Sequence, residues 1–391
     1  LKVDAIRHNS ATSDAITTHS DGTASAKIID VGGAQLSNRR INVNGAMTIA
    51  QKGTISTGNA NNGYPLVTDM VNYRRTGAWG GTTFTVSNVA QTPTTLSPFT
   101  NFTRWTQAGT VQNAPNDTST KLQYGIEGQD MAHAMWGTSS AKSCTLSFYV
   151  RSSQTGTFCI WVADSNTNYN YIIEYTISAA NTWQRVTHTI PGPTSGTFNI
   201  NNTAAIKFYF IIAGHAASST YGGGTKNVWN TSGRWTSNQS TAMSANAGAT
   251  WDLTGIQFEV GDTATSFEYR SHADELARCQ RYFFNITGDN GSRSGIPGYA
   301  NATNELRCMV QFPVPMRTLP TVSGSSTAMV FDSQDDSASF NCSSLVAGGA
   351  PTTSNPTQMC IEVSTSGMTN GQGGQLEFRA ANGFINFSAE L

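Results

Sequence analysis

The chain is expected to be all-β, a series of β-sandwich domains joined by one short helix. Three observations predict this. Apolar and polar residues alternate in run after run, most cleanly at Ile206, Phe208, Phe210 and Ile212, and period two is the pattern of a strand with one buried face. Turn residues punctuate those runs, with 37 glycines and a visible excess of Asn, Ser and Thr. Only 12% of residues are charged, whereas 38% are hydrophobic and 10% aromatic. That balance excludes disorder, which requires high net charge and few aromatics. At 391 residues there is room for two or three domains, each able to bury a core.

Residues 1–53 form a polar lead in which Asp4-Ala5-Ile6 and Asp14-Ala15-Ile16 repeat one another. The lead holds too few large apolar residues for a core of its own, so it reads as the end of a β-rich multichain shaft or as a loose linker. Residues 54–270 carry the sandwich pattern: Leu146, Phe148 and Val150; Phe158, Ile160 and Val162; Tyr171–Ile177; Trp183–Ile190, ended by Pro191-Gly192. Strands this frequent, each with one face to bury, indicate two packed sheets. Cys144 and Cys159 flank an expected hairpin turning at Ser153–Gly156. Residues 271–281 read as a short linking helix, with Ser271 as N-cap and Asp274 three residues on. Residues 282–391 form a second all-β unit, with strands expected near 281–286, 306–312, 328–331, 359–363 and 376–378; its prolines near 313–320 suit an edge or bend.

Several function classes are set aside. Net charge is −1 with no basic block, so no nucleic-acid partner is expected. No run approaches 18 apolar residues, so no membrane insertion is expected either. The six cysteines lack a C-x-x-C and the six histidines are scattered; neither a disulfide framework nor a zinc site is expected, and reduced thiols fit assembly in a host cytoplasm. The start at Leu1, without Met or signal peptide, reads as a processed or truncated piece.

Four segments resemble phage tail-fibre proteins. They are GIQFEVGDTATSFEYRSHADELARCQRYF (Gly255–Phe283), Ile41–Gly53 (with Ala46 where that family usually has Asn), Tyr124–Asp130, and Phe312–Val322. The order LSFYVRSS (146–153), GTFCIWVAD (156–164) and NTWQRVTHTIPG (181–192) is similar to the jelly roll of many carbohydrate-binding modules and phage fibres. The resemblance implies a jelly roll followed by a distal β-sandwich, a homotrimer, an upstream tail or fibre-attachment protein, and a host surface glycan or lipopolysaccharide as ligand. It also implies a virion location. Such modules often hold a structural calcium through an acidic residue on the last strand. Thr254-Gly255 stands there instead, so no metal or other cofactor is expected.

Candidate contact residues are aromatics beside polar turns, because sugars stack flat C–H faces on rings and offer hydroxyls to amides and carboxylates. Gly214–Thr250 is a long loop holding Tyr221, Trp229 and Trp235; compact domains keep such loops for binding or for packing on a neighbouring subunit. Trp79, Trp136, Tyr169 and Tyr171 form a second tier. Trp105, Trp161 and Trp183 lie within strand patterns and read as core. Glu127 and Asp130 leave two readings, a glycosidase pair or turn-stabilising carboxylates, and with no second catalytic feature the chain is not expected to be an enzyme. Asp332–Asp336 is an acidic loop, either a calcium ligand set, a receptor contact or a solvated turn. The expected function is host-cell attachment by a tail fibre; a fibre-borne depolymerase and a ligand-free structural fibre are the alternatives.

Overall fold

The computed structural model describes residues 5–6, 16–18, 24–26, 38–53, 55–58, 67–76, 83–92, 95–108, 119–166, 168–214, 220–239, 243, 246–288, 292–333, 338–348, 354–380 and 383–391. Within these the chain is all-β, as expected, with one helix longer than a single turn. Three short strands of the lead, β1 (Ala5–Ile6), β2 (Ile16–Thr18) and β3 (Ala24–Ala26), pair antiparallel with one another within the chain.

The first sandwich has two antiparallel sheets. The six-stranded sheet runs β12 (Gln184–Ile190), β9 (Cys144–Ser152), β14 (Thr250–Val260), β7 (Asn101–Ala108), β6 (Thr83–Ala90) and β4 (Ile55–Gly58). The five-stranded sheet runs β11 (Asn170–Ile177), β10 (Gly156–Asp164), β13 (Ala204–Ala213), β8 (Ser119–Glu127) and β5 (Val71–Thr76). The alternating residues read from the sequence point inward from both sheets. Phe148 meets Phe210 edge-on at 5.2 Å and Phe208 meets Phe258 at 5.0 Å, within one core that also holds Leu146, Ile160 and Trp251.

One local reading is corrected. β9 and β10 do not pair, so residues 153–155 arch between the two sheets instead of turning a hairpin. Each strand finds its partners elsewhere, β9 on β12 and β14, β10 on β11 and β13. Cys144 and Cys159 therefore lie in opposite sheets, and all six cysteines are free and buried.

A bulge in β14 receives the segment 38–53. Gly255, at φ +62°, breaks the register with β9 between Thr254 and Gln257, a backbone conformation glycine adopts without strain. A side chain there would collide with Phe99 and Tyr149. Ile41 N–H then donates to Phe258 O at 2.9 Å, and Ile256 N–H to Gly45 O at 2.9 Å. Asn42 brackets the same strand through Ile256 O (2.9 Å) and Phe258 N–H (2.8 Å). Residues 40–49, counted with the lead from sequence, are thus mostly buried against the sandwich.

The linking helix, His272–Gln280, is capped as expected, Asp274 N–H donating to Ser271 Oγ at 3.1 Å. Its inner face carries Glu275 and Cys279. With Val43, Ile49 and Tyr282, Cys279 forms a small apolar cluster joined by Leu276, Met70 and Leu391.

The second sandwich packs β15 (Phe283–Gly288), β24 (Gly383–Ser388) and β18 (Thr321–Gly324) against a seven-stranded sheet. That sheet runs β20 (Ser339–Asn341), β19 (Met329–Ser333), β23 (Gly373–Phe378), β16 (Ser292–Ala302), β17 (Glu305–Gln311), β22 (Gln358–Ser364) and β21 (Ser344–Ala347). Its core includes Leu306, Phe331, Ile361, Leu376, Ile385 and Phe387. Gly288 and Gly383 face each other across β15 and β24 because the Phe378 ring lies 2.3 Å from where either Cβ would be.

Polar bonds tie the two sandwiches together. Arg317 donates to Asn202 O (2.7 Å), Ala389 O (2.7 Å) and Glu390 O (3.0 Å), while Gln51 and Asn285 exchange bonds with Phe283 O and Gln51 O. Beside them Asp69 is buried, accepting from Gln51 N–H at 2.9 Å. Burial raises its carboxyl pKa to about 6 despite that bond and the nearby Lys52. A raised folded-state pKa contributes stability that is complete below the unfolded value of about 4 and is lost as pH rises through about 6. Asp69→Asn should remove this fall between those two pH values, read from urea unfolding at several pH values; an unchanged pH profile in the variant would show that Asp69 does not carry it.

Candidate binding surfaces

The sequence candidates of the long loop pack on their own sandwich. Residues 220–239 cross the outer face of the five-stranded sheet, where four rings stack in a row. Tyr221 lies 3.8 Å from Trp235, Trp235 lies 5.2 Å from Trp161, and Trp161 lies 4.6 Å from Tyr209, all within 24° of parallel. The Lys121 ammonium sits 3.4 Å from the centre of the Trp235 ring. Gln239 accepts from Cys159 N–H at 2.7 Å, and Ser237 donates to Glu174 at 2.8 Å.

The second fastening is at the end of the sandwich. Trp229 stacks on Tyr169 (5.4 Å, 11°), meets Trp136 edge-on (5.4 Å, 79°), touches Tyr171 (5.3 Å), and donates to Pro191 O at 2.8 Å. Trp136 and Tyr171 are buried, while Tyr169, Tyr221, Trp229 and Trp235 are half-buried. The structure therefore brings Trp136, Tyr169, Tyr171 and Trp229 into one cluster and Tyr221 and Trp235 into another. Their packing partner is the same chain, because the loop is long enough to fold back over the sheet it leaves. Trp79 lies outside the described residues. Of the three tryptophans read as core, Trp105 is fully buried and Trp161 is buried under the loop. Trp183 is instead half-buried on the outer face, edge-on to Phe102 at 5.5 Å.

Glu127 and Asp130 make different contacts but feel one another: after burial, the charge of Glu127 raises the Asp130 pKa. Glu127 is buried and accepts both arms of Arg281 (3.0 and 2.6 Å) and the Tyr282 hydroxyl (2.6 Å). That bond to Glu127 holds the Arg281 pKa up, and burial raises that of Tyr282. Asp130 is exposed in the turn beyond it. On β14 there are two buried acidic residues: Asp252, held by Arg104 (2.7 and 2.9 Å) and Arg151 (2.8 Å), and Glu259, which accepts from Thr265 N–H (2.9 Å) and Oγ1 (2.7 Å). Asp332 pairs with Arg379 at 3.2 Å; Asp335 and Asp336 lie outside the described residues. Among the described residues no group of His, Cys, Asp and Glu is placed to hold a metal ion, and no helix is long and apolar enough to cross a membrane.

An open groove of about 880 Å³ lies on the outer face of the three-stranded sheet. Its floor follows the register: Ser323, Asn386 and Asn285 stand side by side across β18, β24 and β15, with Thr287 opposite Phe384. One wall is Gln51–Gly53, where Lys52 pairs with Glu390 (2.5 Å) and covers the Phe283 ring at 4.4 Å. Among the described residues the side chains of Thr287, Ser323, Asn386 and Ser388 make no hydrogen bond, and Phe384 is 37% exposed. None of the sequence candidates lines this groove. Its trace is the alternation Phe384, Asn386, Ser388 against Ile385 and Phe387, legible only once 383–388 is known to be a strand.

No protein-family model matches the chain, and no curated protein matches it. Three similar solved structures are the enzymatically active domain of tailspike protein 4 of bacteriophage CBA120, a family 11 carbohydrate-binding module of a Clostridium thermocellum cellulase, and a putative sugar-binding protein of Bacteroides thetaiotaomicron. Their identities to the chain are 12%, 14% and 10%, with TM-scores of 0.28, 0.27 and 0.31. They cover 56%, 55% and 57% of it, and the matched share of their own lengths is 21%, 100% and 100%. The chain thus spans about a fifth of the tailspike chain.

Proposed function

We propose that this protein attaches a phage tail fibre to its host by binding surface glycan in the groove of the three-stranded sheet, without hydrolysing it. The observation that carries the reading is the groove's floor: Asn386, Ser323, Ser388 and Thr287, whose side chains make no hydrogen bond among the described residues, stand beside the exposed ring of Phe384. Sugars ask for this combination, hydrogen bonds for their hydroxyls and a flat face for their C–H groups. The volume lies within the roughly 300–1,000 Å³ of small-ligand clefts. The four fibre-like segments support the tail-fibre assignment. In a homotrimer, three weak grooves would add up to tight adhesion. The burial of Glu127 under Arg281 and Tyr282 favours a binding role over the depolymerase alternative.

Asn386→Ala and Phe384→Ala should each weaken glycan binding by about tenfold, roughly 1.4 kcal/mol, and reduce labelling of host cells by the purified chain. Neither should lower the unfolding midpoint, since both side chains face the groove. Release of reducing ends from host polysaccharide would support the depolymerase instead. Full binding by both variants would rule the groove out.

A further inference from the structure

The outer face of the five-stranded sheet also carries three cationic side chains that make no ion pair among the described residues. Arg74 stands opposite Lys121 across β5 and β8, and Lys207 lies on β13 two residues from Tyr209. Lys121 is 5.2 Å from the ring of that tyrosine, and Arg74 is near enough to its hydroxyl for its charge to oppose the rise in pKa that burial causes. Lys121 is only 4% exposed, with aromatic rings around its ammonium and no hydrogen bond or ion pair among the described residues. Arg74 is exposed and Lys207 half-buried, and neither makes an ion pair among the described residues. Glu174 is engaged by Lys226 (2.8 Å) and Ser237, Glu390 by Lys52, and Leu391 O accepts from Gln123 Nε2 at 3.3 Å. Burial and the Arg74 charge push the Lys121 pKa down to about 7, and burial followed by Arg74 also lowers that of Lys207.

Leaving like charges together at a partly desolvated surface is costly unless something negative arrives. An arginine fork beside a lysine suits the planar or tetrahedral oxygens of a carboxylate or phosphate. We propose that this face is an anion subsite, in which Arg74 and Lys207 hold the carboxylate or phosphate of an acidic saccharide while Lys121 adds its field. The saccharide rests on the glycan-binding reading above; the anion site itself does not, since it lies on a different sheet from the groove.

The test is titration calorimetry of the full chain with oligogalacturonate, a neutral galacto-oligosaccharide of the same length, and inorganic phosphate. The acidic sugar should bind, and added salt should weaken it. Arg74→Gln and Lys207→Gln should each raise its Kd by about tenfold or more, with the unfolding midpoint unchanged. Lys207→Arg should behave as the parent protein, and Phe384→Ala should leave acidic-sugar binding intact. Equal binding of acidic and neutral sugars, or no effect of either Gln variant, would overturn the site. Phosphate binding as tight as oligogalacturonate would overturn the saccharide while keeping the anion site. Failure of the groove alone would appear differently, as loss of neutral-sugar binding with acidic-sugar binding retained.

Discussion

Glu127→Gln is expected to destabilise the protein without abolishing any catalysis. The carboxylate is buried and neutralises Arg281 through two hydrogen bonds while accepting the Tyr282 hydroxyl. Removing one partner of a fully buried pair costs roughly 3–5 kcal/mol; Arg281 keeps part of its surface in water, which brings the expected loss to about 2–3 kcal/mol. The double variant Glu127→Gln/Arg281→Met should recover part of the loss, because the stranded guanidinium is then gone. Urea unfolding of the two variants measures both effects. A catalytic carboxylate would behave in the opposite way, its amide losing turnover at unchanged stability. Unchanged stability in Glu127→Gln would therefore reopen the hydrolase reading.

Glu275→Ala is expected to be more damaging still. One oxygen of Glu275 accepts the buried Arg40 guanidinium and the other accepts Asn44 N–H. Arg270 then reaches Asn42 O at 3.1 Å. Truncation strands Arg40, 1% exposed, without its counter-charge, at roughly 3–5 kcal/mol. It also loosens the segment that fills the β14 bulge. Limited proteolysis should show new cleavage within residues 38–53 at conditions where the parent chain resists, and the unfolding midpoint should fall. Arg40→Met/Glu275→Leu, which replaces the pair by apolar groups of similar size, should restore much of both. Protease resistance in the single variant would mean that backbone bonds to Phe258 and Ile256 hold the segment without the ion pair.

Both predictions concern the stretch around Gly255–Phe283, and they show which features were local. Ser271 caps the helix because the bond to Asp274 spans three residues. What Glu275 and Arg281 do was not legible. Their partners lie 235 and 154 residues away, and no periodicity encodes a pairing at that separation. The long loop is similar. Its aromatics marked it as busy, but whether Trp229 and Trp235 face a ligand, a neighbour or their own sandwich depends on how far the chain folds back.

The fold class, the strands and their inward faces follow from the sequence, because side-chain alternation and turn chemistry act within a few residues. Leu146, Phe148, Ile206, Phe208 and Phe210 occupy the core positions their spacing assigns. Strand partners, the arch that separates Cys144 from Cys159, and both candidate binding surfaces were decided by tertiary structure. The groove draws its wall from Gln51–Gly53 and its floor from Asn285, Ser323 and Asn386. The cation face draws on Arg74, Lys121 and Lys207. Such surfaces exist only where sheet register brings distant residues side by side, and register is set by which faces the whole chain manages to bury.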